Sequence, residues 1–416
     1  MKKTLLLICA CTVLFAVAIL CTACSDKVRY IALNRGSLND ETWLEVEKNE
    51  NIKICIDSKV RSWETSLDKE ILGESCLKVR VPMLIGASTI NVKFTDSSPS
   101  RKINLAIGMK YLDFKNEEVL LGFGYVNGST DEKRPARITG TFLVDKYPVT
   151  NCEFLQLMWD EIPLESNDEM VKNWIKREKL SVRNEGCDAH DSATNIVYLY
   201  QALKYANARS IREGLKPYYT FSKPIFSKNE YVRNKIISEG RYIISYHDFT
   251  SHDEERIKVS VDSSSDGYRL LYYDEWMMLA RGGDKKHKAP WGDSATFKDV
   301  QKYARFGKTD DFYGSDSVGR LQPNKYGLYD MFGLVNQHVL FEKYNPFAVL
   351  NKNPSCLKGG SASKSLKCED NYYGCWKIIT YGYSVSNNIG AERGGFRLIR
   401  NIGKRVKWTE VKSDKE

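Results

Sequence analysis

The last third of this 416-residue chain is punctuated by short blocks in a fixed order. They run Gly267-Tyr268-Arg269-Leu270, Asp274-Glu275-Trp276, Ala280-Arg281-Gly282-Gly283, Pro290-Trp291-Gly292-Asp293, Pro323-Asn324 and Gly327-Leu328-Tyr329-Asp330-Met331. Gly359-Gly360-Ser361 and Gly395-Phe396-Arg397-Leu398 close the series. After Asp293 neither strand nor helix periodicity persists. Glycine and asparagine punctuate the chain and aromatic rings are scattered among them, which is the texture of loops.

An upstream block has the same character: Asp131-Glu132, Pro135, Phe142, then Asp145-Lys146-Tyr147-Pro148-Val149-Thr150-Asn151 and Phe154. No block is diagnostic alone. The ordered set over residues 113–402 resembles the formylglycine-generating enzyme family, also called sulfatase-modifying factors. The resemblance implies an α+β fold, low in regular structure and related to the C-type lectin fold, with buried aromatics and polar networks in its core.

The resemblance also implies where chemistry would sit. The family's oxidases bind copper(I) through two cysteines, three and eight residues after the Ser of the Gly-Gly-Ser block, and thiolates suit that soft ion. Those positions here are Lys364 and Glu369. The nearest thiols are Cys368 and Cys375, displaced and spaced seven apart instead of five. They are read as a local disulfide, as unpaired thiols or as a displaced copper pair, and copper is the least favoured. The family's calcium loop maps onto Asp330, the carbonyls of Gly333 and Val335, and Gln337. All four offer oxygen, but Gln337 replaces a glutamate and removes one charge. Leu271-Tyr272-Tyr273 replaces the family's Pro-Thr-Glu, while Glu275, Trp276 and Arg281 remain. Trp276 and Ala280 are expected to face the core, and Glu275 and Arg281 to form structural ion pairs.

The chain is long enough for two domains with appendages. Basic and acidic residues, 62 and 53, are mixed throughout. No basic block or aromatic-interleaved basic stripe stands out, which argues against a nucleic-acid partner. Lys2 and Lys3 precede an apolar run from Thr4 to Leu20, the pattern of an export leader. Leu20-Cys21-Thr22-Ala23-Cys24 looks like a bacterial lipoprotein box, with Cys21 where leucine is usual. Residues 1–23 are therefore read as a lipoprotein signal peptide and Cys24 as the lipidated residue. An ordinary signal peptidase site and a retained anchor are the alternatives. Nothing after residue 24 is long and apolar enough to span a bilayer. Removal of the leader and lipidation of Cys24 leave Cys55, Cys76, Cys152, Cys187, Cys356, Cys368 and Cys375. Their odd number leaves at least one without a partner in the chain. Cys55 with Cys76 and Cys368 with Cys375 are the candidate disulfides.

Residues 24–112 alternate apolar and polar positions in Ile52–Ile56, Cys76–Val81 and Ile90–Phe94. They read as a small β-sandwich-like domain. Asp96-Ser97-Ser98-Pro99-Ser100 reads as a loop. Beyond it, Asn127-Gly128 is a hairpin signal. Thr150 or Asn151 should cap a helix with Phe154 and Leu157 on one face, and a second helix is expected over 195–214. Residues 222–259 read as an insertion, and 403–416 as a charged, solvated tail.

Other chemistry lacks a signature. The stretch Gly122–Gly128 does not fit the dinucleotide fingerprint, the five histidines show no metal spacing, and a nucleophile elbow and a phosphate loop are lacking. These observations predict a cell-envelope lipoprotein whose larger domain binds or scaffolds, with an envelope protein or a carbohydrate as partner. The 24 tyrosines suit such a surface and suit the fold's own core equally. The alternative is a formylglycine-generating oxidase with displaced cysteines.

Overall fold

The computed structural model describes residues 28–39, 42–121, 125–126, 129–130, 134–158, 192–195, 197–221, 242–246, 255–287, 289–292, 297–305, 317–341, 355–359, 381–384 and 393–411. The chain divides into two compact units, Met1–Ile107 and Gly108–Glu416.

Among the described residues of the first unit there are eight strands. They are β1 (Val28–Leu33), β2 (Trp43–Val46), β3 (Asn51–Ile56), β4 (Val60–Glu64), β5 (Lys69–Leu72), β6 (Cys76–Arg80), β7 (Gly86–Phe94) and β8 (Arg101–Ile107). In β3, β6 and β7 inward apolar residues alternate with more exposed positions. The eight strands form two four-stranded sheets, ordered β1-β3-β6-β5 and β2-β8-β7-β4. Ile52, Ile54, Leu77 and Val79 of one sheet and Trp63, Ile90, Val92, Ile103 and Leu105 of the other share one apolar core. A disulfide joins Cys55 and Cys76, which face each other on β3 and β6. Its ends lie 21 positions apart in sequence, and it contributes about 3 kcal/mol by loop entropy.

The described residues of the second unit are rich in sheet and hold few helices. Its central sheet pairs β9 (Met109–Leu121) with β10 (Arg134–Asp145), antiparallel. The final strand, Leu398–Glu410, pairs with the other edge of β10, and the short strand Arg269–Leu270 follows it. The register of β10 against the final strand shifts at Gly140, opposite a bulge in that strand, and a Cβ on Gly140 would lie 2.7 Å from the Val406 backbone. Only glycine lets the strands approach there. The final strand corrects the expectation of a solvated tail from 403. Val406 is buried and Trp408 packs on the core, so alternation inside the charged run makes it a strand.

Helix α1 (Asn151–Met158) starts as its sequence requires. The Glu153 N–H donates to Thr150 Oγ1 (3.3 Å), and the Thr150 N–H donates to Glu153 Oε2 (3.1 Å), a reciprocal capping box. Phe154 is buried and Leu157 half-buried. Helix α2 (Leu199–Arg212) begins later than expected, because Val197–Tyr198 pairs as strand with Arg393–Gly394. Tyr125–Val126 and Ser129–Thr130 pair antiparallel around the Asn-Gly dipeptide. Within 222–259, Tyr242–Tyr246 and the start of Glu255–Val261 join a small sheet with Tyr219–Phe221. Among the described residues no helix is long and apolar enough to cross a membrane.

Candidate functional site

The sequence blocks meet in space through polar side chains. Helix α3 (Tyr273–Arg281) carries the Glu-Trp block, with Trp276 and Ala280 fully buried. Gly282 ends it in the left-handed conformation at φ 67°, and a Cβ there would lie 2.8 Å from the Lys325 N. Asn324 then closes the helix terminus: its Nδ2 donates to the carbonyls of Leu279 (2.7 Å) and Ala280 (3.2 Å). At the other end, Glu275 takes a bidentate bond from Arg269, both contacts at 2.7 Å, and accepts the Tyr272 N–H at 2.9 Å. The expected ion pair forms at Glu275. Glu275 pairs with Arg269 of the preceding block, while Arg281 donates to the carbonyls of Leu120 (2.9 Å) and Met277 (3.1 Å). The helix turns Glu275 back toward its own N-terminus, where Arg269 waits.

Arg397 is the hub of the site. It is 1% exposed and has acceptors on three separate segments. Its Nε donates to Gln337 Oε1 (2.9 Å), its Nη1 to the carbonyls of Asp145 (2.9 Å) and Lys146 (3.1 Å), and its Nη2 to those of Tyr329 (2.6 Å) and Asp330 (3.3 Å). Burial lowers the guanidinium to about 10, with Asp330 and Asp145 opposing, so it stays charged at neutral pH. Beside it lies a fully buried pair, where Arg209 Nη1 donates to Asp145 Oδ2 at 2.9 Å and the Leu398 N–H donates to the same oxygen at 3.0 Å. Burial is the largest influence and opposes the charge of Arg209, but Asp145, Tyr268, Tyr205 and Glu213 together hold the guanidinium above its usual range.

The candidate calcium residues surround this hub. Gln337 is fully buried; its Oε1 accepts from Arg397 and from Trp276 Nε1 (3.4 Å), and its Nε2 donates to the Asp330 carbonyl (2.8 Å). Asp330 Oδ2 accepts the Gly319 N–H (2.7 Å), and the Gly333 carbonyl accepts the Val335 N–H (2.7 Å). Burial pushes the Asp330 carboxyl above the usual carboxylate range, against the Gly319 N–H and the nearby Arg397 and Arg305. Three of the four oxygen donors are thus already bonded, and a guanidinium lies among them. That donor set does not fit a hard dication, which needs several free oxygens and excess negative charge. Among the described residues no cluster of three or more His, Cys, Asp or Glu has the makings of a metal site.

The Gly333 N–H donates to the Gly359 carbonyl (2.6 Å), which brings the first residue of the Gly-Gly-Ser block to the same turn. Lys364, Cys368, Glu369 and Cys375, and the lipidation candidate Cys24, lie outside the described residues. Cys152, on α1, is disulfide-bonded.

His338, next to Gln337, is 2% exposed. Its Nε2 lies 2.8 Å from the Val197 carbonyl, so Nε2 carries the proton, and the buried Nδ1 has no partner. Burial lowers the ring from 6.5 to about 4, with the Val197 bond opposing. The unfolded chain therefore protonates first as pH falls. Stability tied to the neutral ring is full above 6.5 and is lost as pH drops toward about 4, by roughly 3 kcal/mol. Urea titrations across that window should show His338→Gln losing less stability on acidification than the unmutated chain. Parallel pH curves would remove His338 from the acid response.

Comparison with known proteins follows the same blocks. A family model described as the sulfatase-modifying factor enzyme 1-like domain matches residues 113–402. The chain is 24% identical over 276 residues to a protein named chaperone protein LppX from Paenibacillus barcinonensis, covering 62% of this chain and 80% of that one. Among solved structures, variable protein 1 of Treponema denticola aligns at 20% identity and a TM-score of 0.44, covering 76% of this chain and 99% of that one. PvdO from Pseudomonas aeruginosa aligns at 14% identity and a TM-score of 0.39, covering 71% and 94%.

Proposed function

Because the chain belongs to the sulfatase-modifying factor enzyme 1-like domain family, we propose that residues 113–402 form a binding or scaffolding domain of a cell-envelope lipoprotein, without oxidase activity. The observation that carries this reading is the pair Lys364 and Glu369, which stand where the family's oxidases place their thiols. An ammonium and a carboxylate have little affinity for copper(I). A relative named a chaperone points toward a protein ligand; a carbohydrate of the envelope is the other partner class. Cys24 carries the lipid that holds the mature chain at the membrane, since several acyl chains on one residue anchor it stably. The turn from Asp330 to Gln337 holds its shape through Arg397 and takes no calcium.

Copper affinity tests the proposal. The reduced mature chain should compete poorly for copper(I) against a bidentate chelator. Tight one-to-one binding, lost in Cys368→Ser or Cys375→Ser, would overturn it and promote the oxidase reading.

A further inference from the structure

We propose that the outward face of the first sheet, carried by Val28, Tyr30, Lys53 and Arg80, rests on the anionic lipid surface to which Cys24 tethers the chain. The inference rests on the lipid-anchor reading and adds to it the surface that the anchor presents to the bilayer.

Strand register defines the face. Ile31 and Leu33 of β1 pack on the core, so alternation turns Val28 and Tyr30 the other way. Val28 pairs with Asn51 and Asn51 with Arg80, while Tyr30 pairs with Lys53, Lys53 with Lys78 and Lys78 with Glu70. Paired residues share a face, which makes two rows across the sheet. The character of these rows is amphipathic and basic. Tyr30 is 61% exposed and Val28 38%, unusual values for apolar residues on strands of a packed sheet. The Lys53 ammonium lies 5.9 Å from the Tyr30 ring centre. Glu70 is the one carboxylate in these rows, and Lys78 approaches it at 3.8 Å. Lys53 and Arg80 have no carboxylate partner among the described residues.

The tether selects the occupant. Only Ser25, Asp26 and Lys27 separate Cys24 from Val28. Fully extended, that linker spans about 14 Å. The Val28–Asn51–Arg80 row therefore stays close to the headgroups, where an anionic surface attracts cations within a Debye length of about 8 Å. Tyrosine favours that same interface, its ring on the apolar side and its hydroxyl toward water.

The test uses the chain from Ser25 onward, which keeps every described element and lacks the acyl group. It is mixed with vesicles of phosphatidylcholine alone, or with about a quarter phosphatidylglycerol. The expected result is a preference of at least about tenfold for the anionic vesicles, weakened by salt. The Tyr30→Ser, Lys53→Glu, Arg80→Glu variant should lose that preference at an unchanged melting temperature, and Lys53→Gln, Arg80→Gln should show a smaller loss. Equal partition to both vesicle types, or a variant that binds like its parent, overturns the proposal. The mass of the mature N-terminus from producing cells tests the anchor separately. A lipidated Cys24 without vesicle preference rejects this face and keeps the anchor. Vesicle preference with an unmodified N-terminus keeps the face and rejects the tether.

Discussion

Replacing Arg397 with Met lowers stability by about 4 kcal/mol or more, because five acceptors on three segments lose a charge-assisted bond together. Methionine roughly fills the volume but supplies no N–H. The Gln337 oxygen keeps only its 3.4 Å contact with Trp276, and the carbonyls at 145–146 and 329–330 lose a charge-assisted bond. Arg397→Lys should fall between the two, since an ammonium cannot fork to three segments. Urea denaturation measures the loss, and a cost under about 1 kcal/mol would remove the hub from the account. In the same samples millimolar calcium should leave the melting temperature unshifted. A calcium-dependent rise would mean that the turn binds the ion and is stabilised by mass action.

Arg209→Met should cost on the order of 3–5 kcal/mol, the cost of leaving one charge of a buried pair uncompensated. Asp145 and Arg209 are both wholly buried, and without the guanidinium the Leu398 N–H faces the carboxylate alone. Asp145→Asn combined with Arg209→Met should cost less than the sum of the single changes, because neither then leaves a bare charge. Strict additivity in that cycle would show that the pair does not couple.

Much of the architecture was legible because it rests on local rules. The alternation in Ile52–Ile56 and Cys76–Arg80 marks strands whose inward residues are buried. Thr150, one of the two cap residues expected, caps the start of α1. The ordered blocks identified the family without saying why each block exists. Asn324 explains one case: it satisfies the carbonyls at the end of a helix some forty residues earlier in the chain. The site was less legible, because Arg397 acts mainly on backbone carbonyls, and a carbonyl leaves no mark in a sequence. Gln337 was read as an oxygen ligand for the same reason. Residue type supplies the oxygen, and only the fold shows that Arg397 and Trp276 already occupy it. The partner of Glu275 depended on which way the helix faces the preceding strand. In the last strand, the charge of 404–410 hid the period that buries Val406.

The most direct test of the functional account is the mass of a sulfatase-type cysteine peptide incubated with the purified chain, copper, reductant and oxygen. The account predicts an unchanged peptide, because Lys364 and Glu369 cannot supply the two thiolates that copper(I) needs. A mass loss matching conversion of cysteine to formylglycine, abolished by Cys368→Ser or Cys375→Ser, would contradict it.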